Sequence, residues 1–189
     1  MPSAAYDIFQ RHRLTVAEYY RMGETGILAP DARVELIEGE IIDMPPIGSP
    51  HASTVFFISD RLRDAAKGVA FVWVQNPIRL SRHSEPQPDV ALLRPRPDLY
   101  HSSHPTPADV FFVVEVADSS LAYDTQIKLP LYARHGIPEV WVVDLSNQRF
   151  IVQRTPTAAG FQDVQTLTNL SAVTPLLLPG VALDLSDVF

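Results

Sequence analysis

Between Asp109 and Leu145 the chain reads DVFFVVEVADSSLAYDTQIKLPLYARHGIPEVWVVDL. Two nearly unbroken apolar runs, Val110–Ala117 and Val140–Leu145, are separated by about one short helix of sequence. That is the arithmetic of a strand–helix–strand unit whose strands are well buried. One carboxylate, Glu115, stands inside the first run, after Val113-Val114 and before Val116-Ala117, so neither face of the strand offers it water. A buried carboxylate costs several kcal/mol unless a cation, a hydrogen-bond network or a proton compensates it. Glu115 therefore requires a partner.

Between the runs, Asp118-Ser119-Ser120 reads as a turn. A helix follows from about Asp124 to His135, with Gly136 as its C-cap. Asp124 and Lys128 are four apart and share a helix face. Pro130 predicts a kink or a first turn that ends early, because a helix-interior proline loses one hydrogen bond and clashes with the turn before it.

Working back toward the N-terminus, Gln87–Leu93 reads as a strand with Pro88 immediately before its acid, Asp89. Phe71–Gln75 is a strand that Pro77–Leu80 extends past a bulge, and Arg94–Ala108 is a loop rich in Pro, Ser and His. Ser49 caps a helix with Pro50 at its first position, running from His51 to Lys67 and stopped by Gly68. Its apolar stripe is Ala52, Val55, Phe56, Leu62 and Ala66, and His51 lies in its first turn. Arg33–Ile37 and Glu40–Asp43 flank Glu38-Gly39 as a hairpin, with Val34 and Leu36 on one face and Glu35 and Ile37 on the other. Thr15 and Glu18 form a capping box for a helix to about Met22. Beyond the central unit, Arg149–Gln153 and Phe161–Gln165 form an antiparallel hairpin, and Leu176–Leu185 closes one edge of the sheet.

At 189 residues the chain is most simply one domain, residues 1–189. With no cysteine it has neither disulfides nor thiolate metal sites, which suits a reducing cytoplasm. MPSAAYDIFQRHR lacks the apolar core of a signal peptide, and no later stretch runs long enough without Pro, Gly or charge to span a bilayer. The chain reads as a soluble, cytoplasmic protein. Its net charge of -7, with 15 basic residues against 22 acidic ones, argues against broad electrostatic binding to nucleic acid.

An acid opening a strand (Asp89), an acid inside the next apolar strand (Glu115) and a lysine on the following helix (Lys128) come in that order. Two carboxylates on neighbouring strands can share a hard divalent cation, Mg²⁺ or Mn²⁺, that polarises a phosphoryl oxygen or a bound water. An ammonium nearby can hold the attacking water and offset charge growing on phosphorus. The chemistry implied is phosphodiester hydrolysis.

Pro88-Asp89, Glu115, Tyr123-Asp124, Lys128, Leu131-Tyr132-Ala133 and Gly136-Ile137-Pro138-Glu139-Val140-Trp141 together resemble a large bacterial family of restriction-endonuclease-like proteins in the PD-(D/E)XK nuclease superfamily. The resemblance extends from the Leu14 helix and the Glu35–Glu40 hairpin through Asp144. It implies an α/β (α+β) fold with a central mixed β-sheet flanked by helices and a Mg²⁺- or Mn²⁺-dependent cut in DNA; a homodimer fits this chain too, since cutting both strands of a duplex is simplest with two sites. It assigns metal binding to Asp89 and Glu115 and makes Glu35 an assisting acid. In the wider superfamily the lysine comes two residues after the second acid, where this chain has Ala117, so its role is carried to Lys128 on the helix.

Plainer readings stand beside each residue. Asp89 can be a turn acid. Glu115 can pair with Arg79 or Arg134, Lys128 can be a solvated helix lysine, and Glu35 a strand-surface charge. Asp124 can cap the helix and hold Lys128, His51 can be structural or touch a phosphate, and Asp144 caps the turn into Asn147. His101 and His104 are weak evidence for zinc. Three functions follow: a Mg²⁺-dependent nuclease, the same metal site hydrolysing a smaller phosphoester, or a catalytically decayed binding or assembly module on the same fold. A basic rim from Arg79, Arg82, Arg94 and Arg134 around Asp89 and Glu115 favours the first, an acidic rim the last.

Overall fold

The computed structural model describes residues 11–189; the reading of residues 1–10 as free of a leader-like core lies outside them. The central unit forms as its apolar runs dictate. Strands β5 (Val110–Ala117) and β6 (Glu139–Asp144) pair in parallel, with Glu115 beside Val142, and every residue of both is buried. They are the middle of a six-stranded sheet in the order β3 (Phe71–Val74), β4 (Val90–Leu93), β5, β6, β7 (Arg149–Thr157), β8 (Gly160–Leu167), and all other pairings are antiparallel. The result is the expected mixed sheet flanked by helices.

Strand parity sorts the core into two layers. Phe112, Val114 and Val116 face one side, where α2 (Ser49–Ala65) and the C-terminal residues Val173, Val181, Leu183 and Leu185 pack on Trp141 and Phe150. Val113 and Ala117 face the other, with Leu131, Tyr132 and Ile137. Glu115 shares their parity and points into that second layer. The segment expected to close a sheet edge is instead a lid on the first layer, folded on itself through one isolated bridge, Val173 with Leu183, and held to the sheet by Glu139 and Arg154. Pro175 and Pro179 keep it out of a ladder, since each removes a backbone donor.

The capping box forms as read: Thr15 and Glu18 satisfy each other's backbone donors at the start of α1 (Val16–Glu24). Helix α2 starts earlier than read, because Gly48 is its N-cap and Ser49 lies inside the first turn without a capping bond. On that helix Val55, Ile58, Leu62 and Ala66 are buried, whereas Phe56 is 69% exposed. Phe56 lies ~120° round the helix from Leu62 and so falls outside the buried arc, which takes in Thr54 and Ser59 instead, and Ala52 at the start of the expected stripe is exposed as well. Pro77–Leu80 does not extend β3; Gln75 adopts a positive φ of 49° and turns the chain away.

The hairpin β1 (Val34–Ile37) and β2 (Glu40–Asp43) forms with Gly39 at φ 85° in its turn. All four β1 residues are buried, so the expected alternation is covered on both faces. The hairpin is tied to the segment before β4 by hydrogen bonds from Glu85 N–H to the Leu36 carbonyl (2.7 Å) and from Glu38 N–H to Ser84 Oγ (2.9 Å).

The helix of the central unit comes in three parts: α3 (Leu121–Tyr123), a π turn (Asp124–Lys128) and α4 (Leu129–Arg134). Pro130 has no N–H for the carbonyl four residues back, and its ring crowds that carbonyl. Widening the preceding turn by one residue relieves both, and Leu129 N–H accordingly donates to the Asp124 carbonyl. Thr125 Oγ1 donates to the Leu121 carbonyl at 2.6 Å, beside the backbone bond that this carbonyl accepts from Asp124 N–H.

Candidate active site

The β4–β5 ladder ends at Val90 opposite Val114, so the next positions, Asp89 and Glu115, lie side by side at the mouth of the two strands. Gly48, His51, Glu35, Tyr123, Asp124 and Lys128 close around them in a pocket of about 590 Å³. The four residues singled out by sequence, Glu35, Asp89, Glu115 and Lys128, all line it.

Lys128 answers the burial of Glu115. Its Nζ lies 3.2 Å from Glu115 Oε1 and 3.6 Å from Glu35 Oε2, and the side chain is 7% exposed. The π turn brings this lysine inward; a solvated helix lysine is not what the structure shows. Tyr132, four residues further on and wholly buried, donates its hydroxyl to the same Glu115 oxygen at 2.6 Å. Glu115 Oε2 has no hydrogen-bond partner among the described residues, and it is not sealed from the pocket.

Glu35 is buried rather than a strand-surface charge: it accepts from Tyr123 Oη at 3.0 Å and from Gln87 N–H at 3.0 Å. Asp89 accepts from Val116 N–H at 2.9 Å and lies 3.1 Å from His51 Nε2. His51 Nδ1 is the one buried side-chain polar atom without a partner among the described residues. Asp124 neither caps the helix nor pairs with Lys128 within bonding distance; Ser120 Oγ donates to it at 2.6 Å. The wider turn breaks the four-residue spacing on which that pairing depended.

Burial sets the protonation of the site. It pushes Glu115 up to about 8; Lys128 opposes this, while Asp124 and Asp89 add to it. Burial likewise raises Asp124 against the pull of Lys128. For Lys128 burial works against the charge, but Glu115, Glu35, Asp124 and Asp89 outweigh it and hold the ammonium above the usual lysine value. The hydrogen bond to Asp89 raises His51.

The donor set is all oxygen carboxylate, the set that hard divalent cations take. Among the described residues no three His, Asp or Glu side chains are close enough for an all-protein cage. Mg²⁺ does not require one, since it usually keeps several waters and binds one or two carboxylates. The adjacent Asp89 and Glu115, with Oε2 of Glu115 unpartnered, fit such a water-rich site.

The other sequence candidates fall elsewhere. Arg79 pairs with Glu85, Arg134 with Glu38, and Arg94 lies over the Phe111 ring; none of them, nor Arg82, lines the pocket. Six acids do, including Asp43 and Asp118, against Arg33, Lys128 and His51, so the rim is acidic. His104 stacks near Tyr20 and holds no metal cluster with His101. Asp144 caps its turn as read, accepting from Asn147 N–H at 3.1 Å. Tyr123 and Tyr132 carried no assigned role in the sequence, where their only signal was helical proximity to Lys128.

A mixed sheet with two acids at the end of an antiparallel strand pair and a lysine brought in from the crossover helix defines a restriction-endonuclease-like α/β protein. Residues 16–186 match the family Uma2, described as "Putative restriction endonuclease", and the chain belongs to that family. No curated protein matches the chain. Among solved structures it is similar to one described as a putative nuclease belonging to DUF820 from Anabaena variabilis ATCC 29413. The two share 19% identity over 93% of this chain and 97% of that one, with a TM-score of 0.69, a likeness of fold. No described helix is long and apolar enough to cross a membrane.

Proposed function

We propose that this chain, taken whole as one nuclease-like domain, is a Mg²⁺- or Mn²⁺-dependent endonuclease that hydrolyses phosphodiester bonds of DNA. The observation that carries the reading is the pairing of Asp89 with Glu115 at one strand mouth, with Lys128 buried against Glu115. Asp89 and Glu115 would hold the cation, which supplies Lewis-acid polarisation of the phosphoryl oxygen and of water. Lys128, held between two carboxylates at 3.2 and 3.6 Å, keeps donors free for water or for charge developing on phosphorus. Tyr132 fixes the rotamer of Glu115, and Val116 N–H and His51 fix that of Asp89. Glu35 holds Lys128 from the opposite side and is itself held by Tyr123. Action as a homodimer on both strands, in the cytoplasm, belongs to the same proposal.

Metal-dependent cleavage of plasmid DNA should disappear in both Asp89→Ala and Glu115→Ala while circular dichroism shows the fold retained. Unchanged cleavage by both variants would remove the assignment. The acidic rim favours a second reading, a binding or assembly module whose activity has decayed. Wild-type protein that binds divalent cations weakly or not at all, and cuts nothing, is the result that reading requires.

A further inference from the structure

The acidic pocket leaves a difficulty for any phosphate-bearing partner, because five acids besides Glu115 line it against Arg33, Lys128 and His51 and repel such a partner until cations are bound. The basic counterpart lies elsewhere on the molecule. Arg11, His12, Arg13, Arg82 and His83 line an open groove of about 730 Å³, with Glu18 the acid among them. Glu18 is already engaged in the α1 capping box, through Thr15 N–H at 2.7 Å. Arg11, Arg13 and Arg82 are exposed, and among the described residues none of the three is in an ion pair. In a chain of net charge -7 this is a local reversal of sign.

The groove is built on fixed backbone. Leu14 N–H donates to the Gly39 carbonyl (3.1 Å), Gly39 N–H to the His83 carbonyl (2.7 Å) and Val16 N–H to the Arg82 carbonyl (2.8 Å). His83 Nδ1 donates to the Leu14 carbonyl at 2.9 Å. Arg13 lies so close to the turn that a Cβ on Gly39 would sit 2.6 Å from its own Cβ, a packing only glycine permits. Two segments distant in sequence, residues 11–13 and 82–83, thus present three guanidinium groups from one platform stitched through the Gly39 turn, which lowers the ordering cost of engaging an extended anion.

Its position relates it to the site. Arg13 of the groove packs on Gly39 in the turn of the hairpin, while Arg33 and Glu35, near the other end of β1, line the acidic pocket. The four residues of β1 span roughly 13 Å at ~3.3 Å per residue, which is about four steps of duplex at ~3.4 Å each.

We propose that the Arg11–Arg13–Arg82 groove is the docking track for the sugar–phosphate backbone of duplex DNA, holding the strand a few steps from the acidic pocket. The proposal rests on the nuclease reading for the identity of its partner. It divides the work of the molecule: affinity comes from this track, and chemistry from Asp89, Glu115 and Lys128. Phosphate contacts of this kind position a duplex without reading its sequence.

The test is fluorescence anisotropy of a short labelled DNA duplex with the full chain, in chelator so that no cleavage occurs, over ~50 to ~200 mM salt. Wild type should bind with a steep salt dependence. R11E/R13E/R82E should bind about tenfold or more weakly at the low-salt end, with a log–log salt slope smaller by about 2 to 3, or about 0.9 for each phosphate that is no longer neutralised. The corresponding triple lysine variant should retain binding, and calorimetric Mn²⁺ binding should be the same in all three proteins. An unaffected charge-reversal variant, a wild type that binds no duplex, or preferential binding of an acidic peptide of equal charge would each overturn the track. Track binding without cleavage under any divalent cation removes the nuclease reading alone; cleavage that survives charge reversal removes the track alone.

Discussion

Glu115 has a pKa of about 8 against an ordinary value of 4.5, and this ties cation binding to pH. At neutral pH, without a cation, roughly nine molecules in ten carry a proton on this carboxyl. A cation that takes the carboxylate must displace that proton. Apparent affinity should therefore rise close to tenfold per pH unit from about pH 6 and level off above about pH 8, a span of about 3 kcal/mol. Titration calorimetry of Mn²⁺ in buffers of different ionisation enthalpy would measure this, with close to one proton released per cation at neutral pH. The metal-free protein gives a second readout. Between 4.5 and about 8 the native state binds more protons at Glu115 than the unfolded chain, so stability must fall as pH rises through this window. The shift corresponds to about 5 kcal/mol. Urea denaturation should show that decline in wild type and a much flatter profile in Glu115→Gln. A cation affinity independent of pH between 6 and 8, with no proton release, would refute the reasoning, as would a decline in stability that survives Glu115→Gln.

Lys128→Met removes the buried cation that meets Glu115 and Glu35, and should destabilise the metal-free protein by about 3 kcal/mol, with part of the loss recovered when Mn²⁺ is added; thermal denaturation with and without metal checks both. Tyr132→Phe withdraws the hydroxyl that donates to Glu115, costs about 1 to 2 kcal/mol and raises the Glu115 pKa further, so the pH decline in stability should extend to higher pH. Glu139→Ala breaks a separate buried network in which Arg154, Trp141 Nε1 and the Leu176 N–H all donate to one carboxylate. The loss should be about 3 kcal/mol in urea denaturation while Mn²⁺ binding stays unchanged, since this network anchors the C-terminal lid and none of its residues lines the pocket.

The unbroken apolar runs at Val110–Ala117 and Val140–Leu145 determine a buried parallel pair by themselves, because no other placement removes so much apolar surface from water. The capping box of α1, the Gly39 turn and the order of Asp89, Glu115 and Lys128 are equally local features, written in short-range chemistry and spacing. Tertiary structure decided what spacing could not: that strand parity turns Glu115 toward Tyr132, that the hairpin docks with Glu35 inward, and that Pro130 widens a turn and carries Lys128 away from its helical partner Asp124. It also decided the charge around the site, where the four arginines expected at the rim found other neighbours and the basic groove formed instead from residues 11–13 and 82–83. Backbone pattern is set by neighbours in sequence, but which side chains meet depends on how elements distant in sequence are packed together.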